Sequence, residues 1–360
     1  DLHKEYRRQR QMCIRDRRYS VYYRHFPFFF IMNSTEMGIT MKKSICIMLC
    51  LTVIIASLAG CDSRQKNIRF GSADIGGMYY SFASSFTGIA AKDKPDMTFE
   101  VKNTAGSAAN IRLLSGKYIE LGIAQADLIQ DAYNGSGSFD GTRYKGYGAV
   151  AALYTEACQI IVGRDSDIYS VDDLIGKNVS IGATESGTEL NAKQILESNG
   201  LSFGLVNTVN LDYTDEAKQL AEGKIDAFFC TAGLATTMIG ELTKEYDIRI
   251  ISLDDKCVAK LISAYPCYTK VTIPAGTYQG QTEDINTVGV QSVLLASDSL
   301  SNETVRELTS MLFDNIHELQ YATPLDLHIS LNSATDGIAI PFHPGAAEYY
   351  AQQGITVATE

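Results

Sequence analysis

Three stretches of the sequence place glycine beside a hydroxyl side chain at a junction from strand to helix. They are Gly71-Ser-Ala-Asp-Ile-Gly76-Gly77, Asn103-Thr-Ala-Gly106-Ser107 and Gly182-Ala-Thr-Glu-Ser186-Gly187-Thr188. At such a junction the first N–H groups of the helix have no carbonyl to bond, and the helix dipole presents its positive end. Three loops of this kind closing on one point would cradle a small carboxylate. Each loop also has a simpler reading. Ser186-Gly-Thr-Glu189 fits a capping box in which Ser186 serves its own helix, Ser107 could be an N-cap alone, and Gly76-Gly77 is a general turn signal. No Walker loop or G-x-G-x-x-G run is completed.

Catalytic constellations are missing from the sequence. Beyond Cys61 the histidines are His317, His328 and His343, with no H-E-x-x-H. Cys230 ends the apolar run Ala227-Phe-Phe229, but no histidine stands near it in sequence to lower its pKa. An enzyme is therefore not expected, nor a cofactor. Cys158, Cys230, Cys257 and Cys267 form no C-x-x-C or His-spaced cluster, which argues against zinc. Cys257 and Cys267 could pair or remain buried thiols.

The elements that would hold these loops alternate regularly. Asn67–Phe70 reads as a strand and a helix follows from about Met78 to Ala91. Thr98–Val101 leads through the second loop to a helix carrying Ile111, Leu113 and Leu114, and Ile119–Ala124 is a strand ending at Gln125. Asn178–Ile181 precedes the third loop and a helix with Leu190, Ile195 and Leu196. A further helix near Thr214–Glu222 hands over to the strand Ile225–Phe229. Later come one long amphipathic helix with Val305, Leu308, Leu312, Ile316 and Leu319, capped by Ser301 or Asn302, and a last helix between Pro344 and Gly354. Strands alternating with helices predict an α/β fold with parallel sheets.

Of the 360 residues, 45% are hydrophobic and 20% charged, which excludes a disordered chain and leaves room for two packed units. The chain has 31 basic and 42 acidic residues; residues 1–61 hold 10 and 4 of them, leaving 21 against 38 and a net charge of −17 beyond Cys61. Such a body repels a phosphate backbone, so no nucleic-acid partner is expected. A small anion would need a locally positive site.

Residues 41–61 have the layout of a lipoprotein signal peptide. Met41-Lys42-Lys43 is the basic start, Ser44–Ala59 a mostly apolar run of sixteen, and Leu58-Ala-Gly-Cys61 a lipobox. The run is short for a bilayer span of about 20 residues. Lipidation at Cys61 would anchor the protein to the outer face of the cytoplasmic membrane, with 62–66 as a tether. Residues 1–40 are Arg-rich, and Gln11–Arg17 looks like a translated library adapter, so this stretch is expected to be non-native upstream translation.

The chain after Cys61 resembles the TAXI receptors of tripartite ATP-independent periplasmic (TRAP) transporters. The resemblance rests on Gly76-Gly-Met-Tyr-Tyr80, Thr104-Ala-Gly-Ser107 with Asn110-Ile-Arg-Leu-Leu114, Leu121-Gly-Ile-Ala-Gln125-Ala-Asp127 and Ile181-Gly-Ala-Thr-Glu-Ser-Gly-Thr188. It continues through Gly223–Phe229, Ile273-Pro-Ala-Gly-Thr-Tyr278, Thr287-Val-Gly-Val290 and Pro341-Phe-His-Pro-Gly-Ala346, in family order over roughly 67–354. Met78 stands where the family commonly has Thr, and Ala105 where it has Gly.

The resemblance implies a type II periplasmic-binding-protein fold, two α/β lobes joined by crossing strands around an interlobe cleft. Lobe 1 would comprise 67–157 and 287–360, and lobe 2 158–286. It further implies a lipid-anchored, extracytoplasmic receptor that delivers a small organic anion, glutamate-like or 2-oxoglutarate-like, to an ion-gradient-driven TRAP permease. By matched motif the ligand contacts would be Gly77, Tyr79, Thr104, Gly106, Ser107, Asn110, Gln125, Ser186, Gly187 and Thr188, with Thr231 just past a strand end. A sensory or antigenic surface lipoprotein without a permease partner, or a periplasmic enzyme on the same fold, is the competing expectation.

Overall fold

The alternation of apolar runs and glycine loops becomes the same β-α pattern twice. In a computed structural model, which describes residues 66–323 and 329–360, strands β1 (Lys66–Gly71), β2 (Met97–Lys102) and β3 (Leu121–Gln125) run parallel. Helices α1 (Met78–Asp93) and α2 (Ser107–Ser115) connect them, and α3 (Ala126–Asn134) follows β3. The second round has β5 (Asn178–Ser180), β6 (Asn207–Val209) and β7 (Ala227–Ala232), again parallel, joined by α4 (Gly187–Ser198) and α5 (Tyr213–Ala221). The signal segment, Cys61, the upstream residues 1–40 and His328 lie outside the described residues. No helix among the described residues is long and apolar enough to cross a membrane.

Two long strands belong to both rounds. β4 (Tyr147–Gly163) pairs antiparallel with β10 (Ile285–Ser297) over its first part, then with β7 from Ala157 to Val162. β10 pairs with β9 (Thr269–Ile273) up to Gly289 and with β3 from Ser292 onward. The order is β2-β1-β3-β10-β4-β7-β5-β6, so each lobe has three parallel strands beside one antiparallel strand contributed from elsewhere in the chain. This is the type II periplasmic-binding-protein fold. β4 is buried almost throughout, as a central strand covered on both faces must be.

Packing follows from the patterning. On α1, Phe82 stacks on Phe86 at 5.8 Å, and Phe86 meets Phe70 of β1 edge-on at 6.2 Å. Each buried phenyl contributes roughly 2–3 kcal/mol. Phe228 and Phe229 on β7 point to opposite faces of the sheet and enter separate apolar clusters. α6 (Thr237–Glu245), β8 (Ile248–Ile250) and α7 (Asp255–Ala264) complete lobe 2.

The long C-terminal helix expected from periodicity is two helices, α8 (Asn302–Asp314) and α9 (Ile316–Ala322). Asn315 breaks the line: its Nδ2 donates to the Met311 carbonyl at 3.0 Å, the local bond through which Asn competes with helix. Ser301 caps α8 through the Thr304 N–H, and α10 (Pro344–Gln352) returns to β4, where the Tyr350 hydroxyl donates to Val150 O at 3.0 Å.

Candidate functional site

The C-terminal ends of the parallel strands in both lobes point at one cleft, and the helices that follow present their N-termini to it. Gly77 and Tyr79 at the start of α1, Gly106 and Ser107 at α2, Gln125 after β3, Ser186, Gly187 and Thr188 at α4, and Thr231 on β7 all line it. Thr104 and Asn110 do not. Asn110 is fully buried: its Nδ2 donates to the carbonyls of Gly71, Ser72 and Ile123, and its Oδ1 accepts from Thr104 Oγ1 at 2.7 Å. This pair braces the first two loops rather than facing a solute.

The lobes are in contact across the cleft. The N–H groups of Ala108 and Ala109 in α2 donate to the Glu185 carbonyl of lobe 2 at 3.1 and 3.3 Å, and Arg112 pairs with the Glu185 carboxylate. The Arg112 guanidinium also lies over the Phe139 and Tyr144 rings, so it closes the rim instead of clamping a ligand. The Tyr213 N–H at the start of α5 lowers the pKa of the Asp74 carboxyl, against the larger raising effect of burial. The N-terminus of α2 is thus engaged by the opposite lobe. Those of α1 and α4 keep their first N–H groups for the cleft.

Gly187 is required by closeness: a Cβ there would lie 2.3 Å from the Gln125 carboxamide. Gly106 is required by conformation, with φ +115°. Ser186 does two jobs, since it lines the cleft while accepting from Glu189 N at 3.0 Å; Glu189 reaches back to the Glu185 N–H at 2.8 Å.

The floor holds a residue that the motif reading passed over. Glu156 on β4 is 3% exposed, and its Oε2 accepts from the Tyr79 hydroxyl at 2.9 Å and from Gln125 Nε2 at 3.1 Å. Burial pushes its carboxyl up to about 8, against the lowering effect of those two bonds, so it is mostly protonated at neutral pH. Its signal in the sequence was a single acid in an apolar run, Tyr147–Gly163. Asp74 is raised as well, chiefly by burial. The lining contains these two carboxyls and no Lys, Arg or His, so the expected positive site draws its charge from helix ends alone. The cleft holds a cavity of about 40 Å³, room for about three water molecules.

Cys158 and Cys230 are buried and their pKa values are driven up, mainly by burial; Cys257 and Cys267 are both free. Arg164 lies away from the cleft and donates to Gly280 O at 3.0 Å.

Solved structures resemble the chain in fold. The periplasmic aliphatic sulphonate binding protein SsuA from Escherichia coli is 15% identical, covering 79% of this chain and 78% of that one with a TM-score of 0.42. A putative L-cystine ABC transporter from Listeria monocytogenes is 15% identical, covering 71% and 94% with a TM-score of 0.47. Likenesses this distant carry nothing about the ligand. The profile of the NMT1-like family matches residues 70–354, most of the sequence and every cleft-lining residue named above, and the chain belongs to that family.

Proposed function

We propose that this member of the NMT1-like family is an extracytoplasmic solute-binding receptor for a small carboxylate, anchored by a lipid on Cys61 and delivering its solute to a TRAP permease. The observation that carries the reading is the meeting of helix N-termini from both lobes on one buried cleft. There the N–H groups of α1 and α4, with the hydroxyls of Ser107 and Thr188, would hold carboxylate oxygens. Glu156 in its neutral form does not repel such a ligand. The lipobox ending at Cys61 supports the anchor, and the resemblance to TAXI receptors supports the permease partner and a ligand of the glutamate or 2-oxoglutarate kind.

Thermal unfolding of protein stripped of ligand by unfolding and refolding, against amino acids, dicarboxylates, 2-oxo acids and sugars, tests the reading. A selective upward shift with one carboxylate is expected through linkage. A shift with a sugar alone would remove the carboxylate assignment and leave the fold intact.

A further inference from the structure

The donors at the helix ends account for one end of a carboxylate ligand and leave the floor of the cleft unexplained. Gln125 is 1% exposed and its Oε1 has no hydrogen-bond partner among the described residues, a costly state for a buried acceptor. Its amide orientation follows from the bond that Nε2 gives to Glu156 Oε2. That carboxyl receives both of its bonds on Oε2, so its other oxygen carries none among the described residues. Both side chains line the same cleft and touch each other, so a ligand there meets the Gln125 carbonyl oxygen beside the Glu156 carboxyl. A second ligand carboxylate would give the Gln125 oxygen no donor; an ammonium group would give it one, and would pair with Glu156 once its proton has left.

Resting on the carboxylate-receptor reading of the same cleft, we propose that Glu156 is its specificity-determining residue, selecting a ligand that also bears an ammonium group and releasing a proton as that group binds. The neutral carboxyl loses its O–H proton to solvent and the resulting carboxylate pairs with the ligand's N–H₃⁺; charge in the cleft rises by the ligand's ammonium and falls by the proton released. The surroundings favour this exchange. The titratable groups that face Glu156 are Tyr79 on α1, Asp127 on α3, Tyr154 and Cys158 on β4, Tyr213 on α5 and Cys230 on β7, with no cation among them. Burial therefore keeps the proton on until a positive charge arrives, consistent with a Glu156 pKa pushed up to about 8.

Isothermal calorimetry at pH 7 in two buffers of different ionisation enthalpy tests this with matched pairs, L-glutamate against 2-oxoglutarate and L-alanine against pyruvate. The amino acid of a pair is expected to bind about tenfold more tightly than its 2-oxo partner and to release about one proton. In Glu156→Gln, proton release disappears and the preference collapses to about threefold or less. The two-buffer measurement on the unaltered protein decides the matter if that variant does not fold. Equal affinity within a pair, or binding without proton release, overturns the role of Glu156 and leaves the carboxylate receptor standing. Binding of neither member of either pair, with a selective thermal shift for another carboxylate, overturns this inference and leaves the receptor standing; no shift with any carboxylate removes both.

Discussion

Asn110 and Tyr79 both belong to buried hydrogen-bond networks, and only Tyr79 faces the cleft. Asn110→Ala would strand the Gly71, Ser72 and Ile123 carbonyls, and should cost about 3 kcal/mol in urea unfolding. Tyr79→Phe removes a donor that lowers the Glu156 pKa, so the pH midpoint of ligand binding should move upward, with a stability loss of about 1–2 kcal/mol. A midpoint that stays in place would mean that the Tyr79 hydroxyl does not act on Glu156. The glycine and hydroxyl positions were readable because their chemistry is local, set by the loop that carries them. Glu156 was not, although it is the single acid of its strand, because its role depends on partners 31 and 77 residues away. The same distance effect explains Asn110: its place in a matched motif suggested a ligand contact, and its four bonds turn it toward the loops.

At the level of elements, the N-terminus of α4 lies directly on Gln125 of the opposite lobe. Gly187→Ala should leave the fold within about 1 kcal/mol in urea, since alanine is favourable at a helix start. Its methyl group would nevertheless collide with the Gln125 amide and hold the lobes apart. Solution scattering is expected to show a larger radius of gyration that ligand does not reduce, and affinity should fall by about tenfold or more. Unchanged affinity would show that the close approach is not needed for binding. Periodicity located α1, α2 and α4 because each has a buried stripe and a glycine loop before it. It failed between α8 and α9, where the apolar spacing continues through Asn315 and the side-chain bond from Asn315 to the Met311 carbonyl marks the break.

For the molecule as a whole, buried carboxyls set an unusual response to pH. Glu156 is pushed up to about 8 and Asp127 to about 6, in each case mainly by burial, and Glu216 is raised well above the ordinary range. In the unfolded chain such groups titrate near 4. Between these values the folded state holds protons that the unfolded state has lost, so stability falls as pH rises. Buried His343, whose pKa is lowered chiefly by burial, acts in the opposite direction and only below about 6.5. Urea midpoints should therefore drop from pH 6.5 to 8.5, and a flat or rising series would show that Glu156 is ionised in the folded protein. The through-running strands carry a consequence for biosynthesis. Lobe 1 cannot finish its sheet until Ile285–Ser297 has been made, because β10 fills the place between β3 and β4. A ribosome working from the N-terminus completes β5, β6 and β7 while β3 still has a bare edge, so the lobe that is begun first is the one whose sheet closes last.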